Sequence, residues 1–330
     1  MSYLPFTKET WDRTAEWLGE SQGEYWAKTN ANLCQAKSDL SIAIDKLLEY
    51  GRPYTAINCL YTMHCRKQPI NVAQIVNALL AFSSSYPSSS SDAYTIVELV
   101  KILQETPEVS PDDLFRVEWA YLPLLNGYYG ATPKLLESGL AGDPDFFCEV
   151  IGLIYRSNKN DKIADEPSED RKAIATNAWQ LLHKWRTPPG MQSDGSFKND
   201  QFSSWLQRVK EVCTESGHLE VALIHVGQVL IHSPADADGL WIDRTVADAL
   251  NSGDSEEMRN GYYLNSRGVY WVDPKGKPER ELAEKYRKMA DEVENKGYQR
   301  LAVTLKDLSE HYDREAERIV AEHKGDDYDN

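Results

Sequence analysis

Several features that define common classes of protein are missing from this sequence of 330 residues. No stretch approaches the roughly 18 consecutive apolar residues that a membrane-spanning helix needs. The first residues lack the basic and apolar regions of a secretory signal peptide. We therefore expect a soluble, cytoplasmic protein without a membrane partner. The motifs G-x-x-x-x-G-K-[ST], G-x-G-x-x-G, G-x-S-x-G and H-E-x-x-H are also missing, so no catalytic residue is predicted.

Cysteine and positive charge are both scarce. The five cysteines are scattered without C-x-x-C spacing, which predicts reduced thiols rather than a disulfide framework or a zinc site. There are 36 Lys and Arg residues against 52 Asp and Glu, which gives a formal net charge of -16. Because phosphate binding needs clustered cations, this balance disfavours nucleic acid as a general partner. Neither a metal nor a cofactor is predicted.

Apolar residues recur at helical spacing along most of the chain, which predicts an all-α fold. Asn71 precedes one such stripe as an N-cap, and Ser110 and Asp143 are each followed by a proline at the first helical position. The serine-rich stretch 83–91 predicts a loop, with the next helix starting at Asp92. Two further loops are predicted at 158–170 and 187–200. Strand signals are confined to 268–273, at most a short β-hairpin or extended arm.

Three segments share one pattern, in which a glycine is followed by four residues, an alanine and an aliphatic residue. Glycine accepts the left-handed backbone conformation that ends a helix, and alanine permits close approach where the next helix crosses back. We therefore interpret each segment as the turn of a helical hairpin. The three pairs are Gly51 with Ala56, Gly217 with Ala222, and Gly297 with Ala302.

The second of these segments resembles the tetratricopeptide repeat family, whose unit is a helical hairpin of about 34 residues. Gly217, Ala222 and Pro234 stand where that family has its turn, its small residue and its closing proline. In the first segment Pro69 lies one residue late, and the third segment has no such proline. The resemblance implies an α-solenoid of irregular helical-hairpin repeats. The alternative is a helical bundle, in which glycine-to-alanine turns also occur.

The pattern of helices and loops predicts four parts of the chain. Helical repeats occupy 1–157, a loop-rich part around one helix 158–200, tetratricopeptide-like repeats 201–323, and an acidic tail 324–330. The C-terminal part also loosely resembles the helical-repeat regions that end large bacterial signalling or antiphage defence proteins. That resemblance implies a sensor role, in which the helical surface recognises a foreign protein.

Two pairs of adjacent tyrosines are candidate partner-binding residues. Tyr128 and Tyr129 are flanked by glycines, and Tyr262 and Tyr263 follow one, so both pairs are predicted at helix ends or in loops. Tyrosine is enriched among the residues that dominate binding energies. An interpretation of equal weight is that these rings fill gaps between repeats.

Three functions are compatible with these patterns. The first is a non-enzymatic interaction or sensor module that binds a protein or peptide on its helical surface. The second is an enzyme whose dispersed site uses carboxylates with His225 or His232, which lie seven residues apart on one predicted helix; a deep pocket holding these groups would favour it. The third is an acidic mimic of nucleic acid, although the carboxylates here alternate with Lys and Arg.

Overall fold

The described residues of the computed structural model are 7–28, 39–83, 89–159, 168–192, 194–264 and 273–324. They form α-helices joined by turns, so the predicted all-α fold is confirmed. Within these ranges the β-structure is one isolated bridge between Met191 and Phe197. The predicted extended arm at 268–273 lies outside them except for Asp273, which begins a turn. No helix in the described ranges has the length and apolar character needed to cross a membrane.

The chain divides into two compact units, Met1–Leu136 and Glu137–Asn330. The division of the chain into four parts, which the sequence analysis based on repeats and loops, remains a prediction. The first unit contains α1 Lys8–Leu18, a 3-10 turn Gly19–Ser21, α2 Gln22–Lys28, α3 Leu40–Glu49, α4 Pro53–Cys65, α5 Val72–Phe82, α6 Ser90–Glu105, α7 Pro111–Ala120 and the start of α8 Lys134–Gly142. The second contains α9 Pro144–Ile154, α10 Glu169–Lys184, α11 Asn199–Ser216, α12 Leu219–Leu230, α13 Arg244–Asn251, α14 Glu256–Leu264, α15 Lys277–Asn295 and α16 Gln299–Lys324.

The helix starts show how local chemistry sets these boundaries. The side chain of Asn71 accepts a hydrogen bond from the backbone N–H of Ala73, and Asp143 caps α9 in the same way. Ser110 precedes α7 as predicted, but its side chain makes no capping bond. The predicted start of α6 at Asp92 is wrong. The helix begins at Ser90, because the Ser89 side chain accepts the N–H of Asp92 and acts as the N-cap.

All three predicted glycine turns have the same backbone geometry. Gly51, Gly217 and Gly297 have positive φ angles of 68°, 76° and 91°. In each turn the following N–H donates to the carbonyl five residues back, a bond that satisfies one of the last carbonyls of the helix. These bonds run from Arg52 to Leu47, from His218 to Cys213 and from Tyr298 to Val293, at 2.7, 2.8 and 2.9 Å. The paired alanines, Ala56, Ala222 and Ala302, are buried.

A fourth turn of this kind contains no glycine and was not predicted. Lys67, between α4 and α5, has a φ angle of 55°, and the next N–H, of Gln68, donates to the carbonyl of Met63 at 3.0 Å. A left-handed conformation strains any residue with a Cβ atom. The hairpin of α4 and α5 therefore forms although its turn residue is unfavourable.

We expect Lys67→Gly to stabilise the protein by about 0.5–1 kcal/mol, because relief of the strain exceeds the extra entropy of glycine in the unfolded chain. Urea unfolding followed by far-ultraviolet circular dichroism measures the effect. Lys67→Ala is the matched control, since it removes the same side chain but keeps the strain. Equal stability of the two variants would contradict the prediction.

The first unit is built by helices that pack on both the next helix and the one after it. The packed pairs are α3–α4, α3–α5, α4–α5, α4–α6, α5–α6, α5–α7 and α6–α7. This pattern places α3, α5 and α7 in one layer and α4 and α6 in the other, as in stacked helical hairpins. Between the layers lie fully buried aliphatic side chains, among them Ile44, Leu60, Leu79 and Val100.

In the second unit, α12 and α14 cross at a pair of glycines. A Cβ atom added to Gly227 would overlap the carbonyl oxygen of Met258, and one added to Gly261 would overlap that of Ile224. The arrangement is reciprocal, because each carbonyl belongs to the residue three positions before the other glycine. Elsewhere in this unit, α9 packs on α10, α11 and α12, and α16 packs on α13, α14 and α15.

Candidate functional site

Four tyrosines on α4, α6 and the turn at 126–130 contact one another, and a fifth, Tyr54, lies on the same face of α4 as one of them. We name these residues the tyrosine surface: Tyr54, Tyr61, Tyr94, Tyr128 and Tyr129. Tyr54 and Tyr61 are seven residues apart on α4, which puts them on one face two turns apart. Because α6 packs beside α4, Tyr94 meets Tyr61. The structure thus joins one predicted pair to three tyrosines that are distant in sequence.

The rings contact one another edge to face, in the order Tyr61, Tyr94, Tyr129 and Tyr128. Their successive centroid distances are 6.3, 6.0 and 4.8 Å, with interplanar angles of 86°, 69° and 88°. Such geometry suits the aromatic quadrupole. Tyr128 is 81% exposed, Tyr94 42% and Tyr54 37%. A continuous aromatic cluster therefore reaches the solvent.

Backbone hydrogen bonds hold Tyr128 in place. The N–H of Gly127 donates to the carbonyl of Ala131 and that of Gly130 to the carbonyl of Gly127, both at 2.9 Å. The N–H of Tyr128 itself donates to Oδ1 of Asn126 at 2.9 Å. Gly127 and Gly130 have positive φ angles of 83° and 77°, which explains why glycines flank the pair. An exposed ring on a fixed turn loses little entropy on binding.

Carboxylates lie at the edge of this surface. The hydroxyl of Tyr54 donates to Oδ1 of Asp92, a bond that raises the pKa of Tyr54. Glu98 forms an ion pair with Lys101 at 2.7 Å. A hydrogen bond with Cys65 raises the pKa of Tyr61 to about 12. Tyr54 and Tyr61 therefore remain protonated at neutral pH, and the edge beside Tyr54 carries negative charge.

The second predicted pair is in a different environment. Tyr262 is 1% exposed in the last turn of α14, and burial raises its pKa. It is a core residue rather than a surface anchor. Tyr263 is half-buried and packs against His311, with ring centroids 5.7 Å apart. Tyr262 is thus buried, whereas Tyr128 and Tyr129 belong to the tyrosine surface.

Models of known families, curated proteins and solved structures give no match to the chain. The resemblance to tetratricopeptide repeats therefore stays a prediction, although Gly217 and Ala222 form the turn and the buried contact that it implies. Pro234 follows the end of α12 in a non-helical segment.

The two histidines considered for catalysis are separated by the end of α12. His225 lies within the helix, and its Nε2 is 2.8 Å from the hydroxyl of Tyr155. Burial lowers the pKa of His225 to about 4. The prediction that His232 shares this helix is wrong: α12 ends at Leu230 and His232 lies in the next turn. His225 lines a small pocket without a carboxylate, and the described residues contain no cluster of metal ligands.

Sequence reasoning missed Tyr54, Tyr61 and Tyr94. A usable signal was the spacing of seven between Tyr54 and Tyr61, which places two aromatic residues on one helix face. No signal pointed to Tyr94, because its neighbours on the surface come from α4 and from a turn more than thirty residues later. Only the packing of α4 against α6 brings these rings together.

Proposed function

We propose that this protein is a non-enzymatic binding module that holds a protein segment with basic side chains on its tyrosine surface. The observation that carries the proposal is Tyr128, exposed on a hydrogen-bonded turn and in contact with the cluster around Tyr94. Exposed, rigid tyrosines supply much contact area at a low entropic cost. Contiguous exposed apolar groups, unlike single ones, mark interaction sites.

Charge supports a basic partner. The chain has a formal net charge of -16, and the Asp92 carboxylate lies at the edge of the tyrosine surface beside Tyr54. Arg and Lys bind both carboxylates and the faces of tyrosine rings. Long-range attraction between the acidic protein and a basic segment also speeds encounter.

Imitation of nucleic acid is less well supported. Ion pairs place cations beside carboxylates, as in Arg208 with Asp145 at 2.9 Å and Arg287 with Asp313 at 2.6 Å. A nucleic-acid mimic needs an uninterrupted row of negative groups, since it must present the charge density of a phosphate backbone.

The test is selection of peptides from a random display library, followed by affinity measurements on the enriched peptides. We expect these peptides to contain Arg or Lys. Tyr94→Ala and Tyr128→Ala should each weaken binding about tenfold or more, or ~1.4 kcal/mol, because each removes ring area from the centre of the contact. Tyr128→Ala should change stability by less than about 0.5 kcal/mol, because the side chain is exposed.

Trp17→Ala is the matched control, because Trp17 is an aromatic residue of the same unit that is 80% exposed and outside the tyrosine surface. It should leave the affinity unchanged. Peptides that bind equally well to a Tyr94→Ala, Tyr128→Ala double variant, or an enriched set without basic residues, would overturn the proposal.

A further inference from the structure

A small pocket in the second unit lies beside the end of α10 and one face of α12. Its volume is about 120 Å³, and its polar lining residues are His183, Trp185, Arg186, His225 and Gln228. Aliphatic side chains complete the wall. Drug-sized ligands occupy roughly 300–1,000 Å³, so this pocket suits a group of only a few heavy atoms.

The pocket is rich in hydrogen-bond donors. Trp185 is 2% exposed, and its indole N–H is buried without a partner among the described residues. Arg186 uses Nη1 to donate to the backbone carbonyls of His183 and Trp185, both at 2.8 Å. Across the described part of the chain, its guanidinium forms no ion pair with a carboxylate. A buried donor without an acceptor costs free energy, so an acceptor ligand would relieve that cost.

Neighbouring groups hold the lining in position. Trp179 stacks on the ring of His183, with centroids 5.0 Å apart and an interplanar angle of 6°. The contact between His225 and the hydroxyl of Tyr155 fixes the imidazole at the α12 side. Burial lowers the pKa of His225 to about 4, so this imidazole is neutral at pH 7. The positive charge of the lining is supplied by the guanidinium of Arg186.

The balance of donors and acceptors identifies the kind of ligand. No carboxylate lines the pocket, although acidic residues outnumber basic ones by 52 to 36 in the whole chain. A planar guanidinium with free N–H groups matches the oxygens of a carboxylate or phosphate. We propose that this pocket binds a small oxyanion, a carboxylate or a phosphate group, through Arg186, His183 and the indole N–H of Trp185. The proposal does not depend on the tyrosine surface.

The experiment is nuclear magnetic resonance of the ¹⁵N-labelled full chain, in which the indole N–H signal of Trp185 is assigned with Trp185→Phe. Sodium phosphate and sodium acetate are titrated separately at constant ionic strength, balanced with chloride. We expect at least one oxyanion to shift this signal saturably, with a Kd of about 1 mM or tighter. The two arms distinguish phosphate from carboxylate as the preferred group.

Arg186→Gln should raise that Kd at least about tenfold, because it removes both the charge and the planar fork. Arg186→Lys keeps the charge and should give an intermediate Kd. Arg171→Gln is the matched control, because Arg171 lies in the first turn of α10 and does not line the pocket; it should bind as the wild type does. A shift that does not saturate with either oxyanion, or an unchanged Kd in Arg186→Gln, overturns the proposal. Arg186 is exposed, so its variants should remain folded. The indole signals of the other tryptophans show directly whether they do.

Discussion

Gly227→Ala is expected to destabilise the protein by about 3 kcal/mol or more, the largest loss among the substitutions proposed for this chain. The added Cβ would overlap the Met258 carbonyl oxygen and lie 2.7 Å from the Met258 carbonyl carbon and 2.9 Å from the Tyr262 nitrogen. All three are backbone atoms, so no side chain can rotate away. The helices α12 and α14 must separate, and overpacking of this kind typically costs 1–3 kcal/mol, occasionally more.

Gly261→Ala should have a similar effect, because its Cβ would overlap the Ile224 carbonyl oxygen and lie 2.7 Å from the Ile224 carbonyl carbon. Separation of the helices would also loosen Tyr262, which is buried beside the crossing. The loss is measured by urea unfolding, with amide hydrogen exchange in α12 and α14 to locate it.

Gly152→Ala is the matched control for this prediction. Gly152 is also within a helix, α9, but its added Cβ would meet no atom within 4 Å. Alanine favours a helix over glycine by about 1 kcal/mol, so this variant should be slightly more stable than the wild type. If Gly227→Ala were as stable as Gly152→Ala, the close crossing of α12 and α14 would be disproved.

Glu118→Ala should destabilise the protein by about 3 kcal/mol, because buried N–H groups lose their acceptor. Glu118 is fully buried on α7, and its Oε2 accepts the backbone N–H groups of Leu135 and Leu136 at 3.0 Å each. Its Oε1 accepts Nε2 of Gln104 at 2.6 Å. This carboxylate thus caps the first turn of α8 from a different helix. Glu118→Gln should cost about half as much, since one amide oxygen can still accept both N–H groups.

The contribution of Glu118 also depends on pH. Burial raises the pKa of this carboxyl in the folded protein, so the unfolded chain ionises first as pH rises. The stability that the group contributes is fully present below the unfolded pKa and is lost as pH rises through the folded pKa. The advantage of the wild type over Glu118→Gln should therefore grow as pH falls from 7 towards about 4.5.

Urea unfolding at several pH values tests both statements. Glu108→Ala is the control, because Glu108 is an exposed acidic residue in the same unit and should change stability by less than about 0.5 kcal/mol. An advantage over Glu118→Gln that shrank as pH fell would show that the hydrogen bonds outweigh burial and that the folded pKa is lowered instead.

Several parts of the fold were predictable because their causes are local in sequence. The capping side chains of Asn71 and Asp143 act on N–H groups two or three residues away. The turns at Gly51, Gly217 and Gly297 depend on one left-handed residue and a bond across five positions. Lys67 shows the limit of this reasoning, because tertiary packing of α4 and α5 imposes the same turn on a residue that does not favour it.

The candidate site was only partly predictable. Tyr128 and Tyr262 occur in similar pairs beside glycine, yet Tyr128 is 81% exposed and Tyr262 is 1% exposed. Nothing within either local segment distinguishes them. The difference arises because Tyr128 lies on a turn, whereas α14 presses Tyr262 into the core where it crosses α12.

The sequence by itself determined the helical class, the helix starts after Asn71, Ser110 and Asp143, and the three glycine turns, since these follow from hydrogen bonds and backbone preferences within a few residues. The tertiary structure alone decided which glycines face each other, which carboxylate caps α8, and which tyrosines and basic side chains share a surface or a pocket. Those arrangements join residues from separate helices, and their free energy comes from burial and close packing that local sequence does not encode.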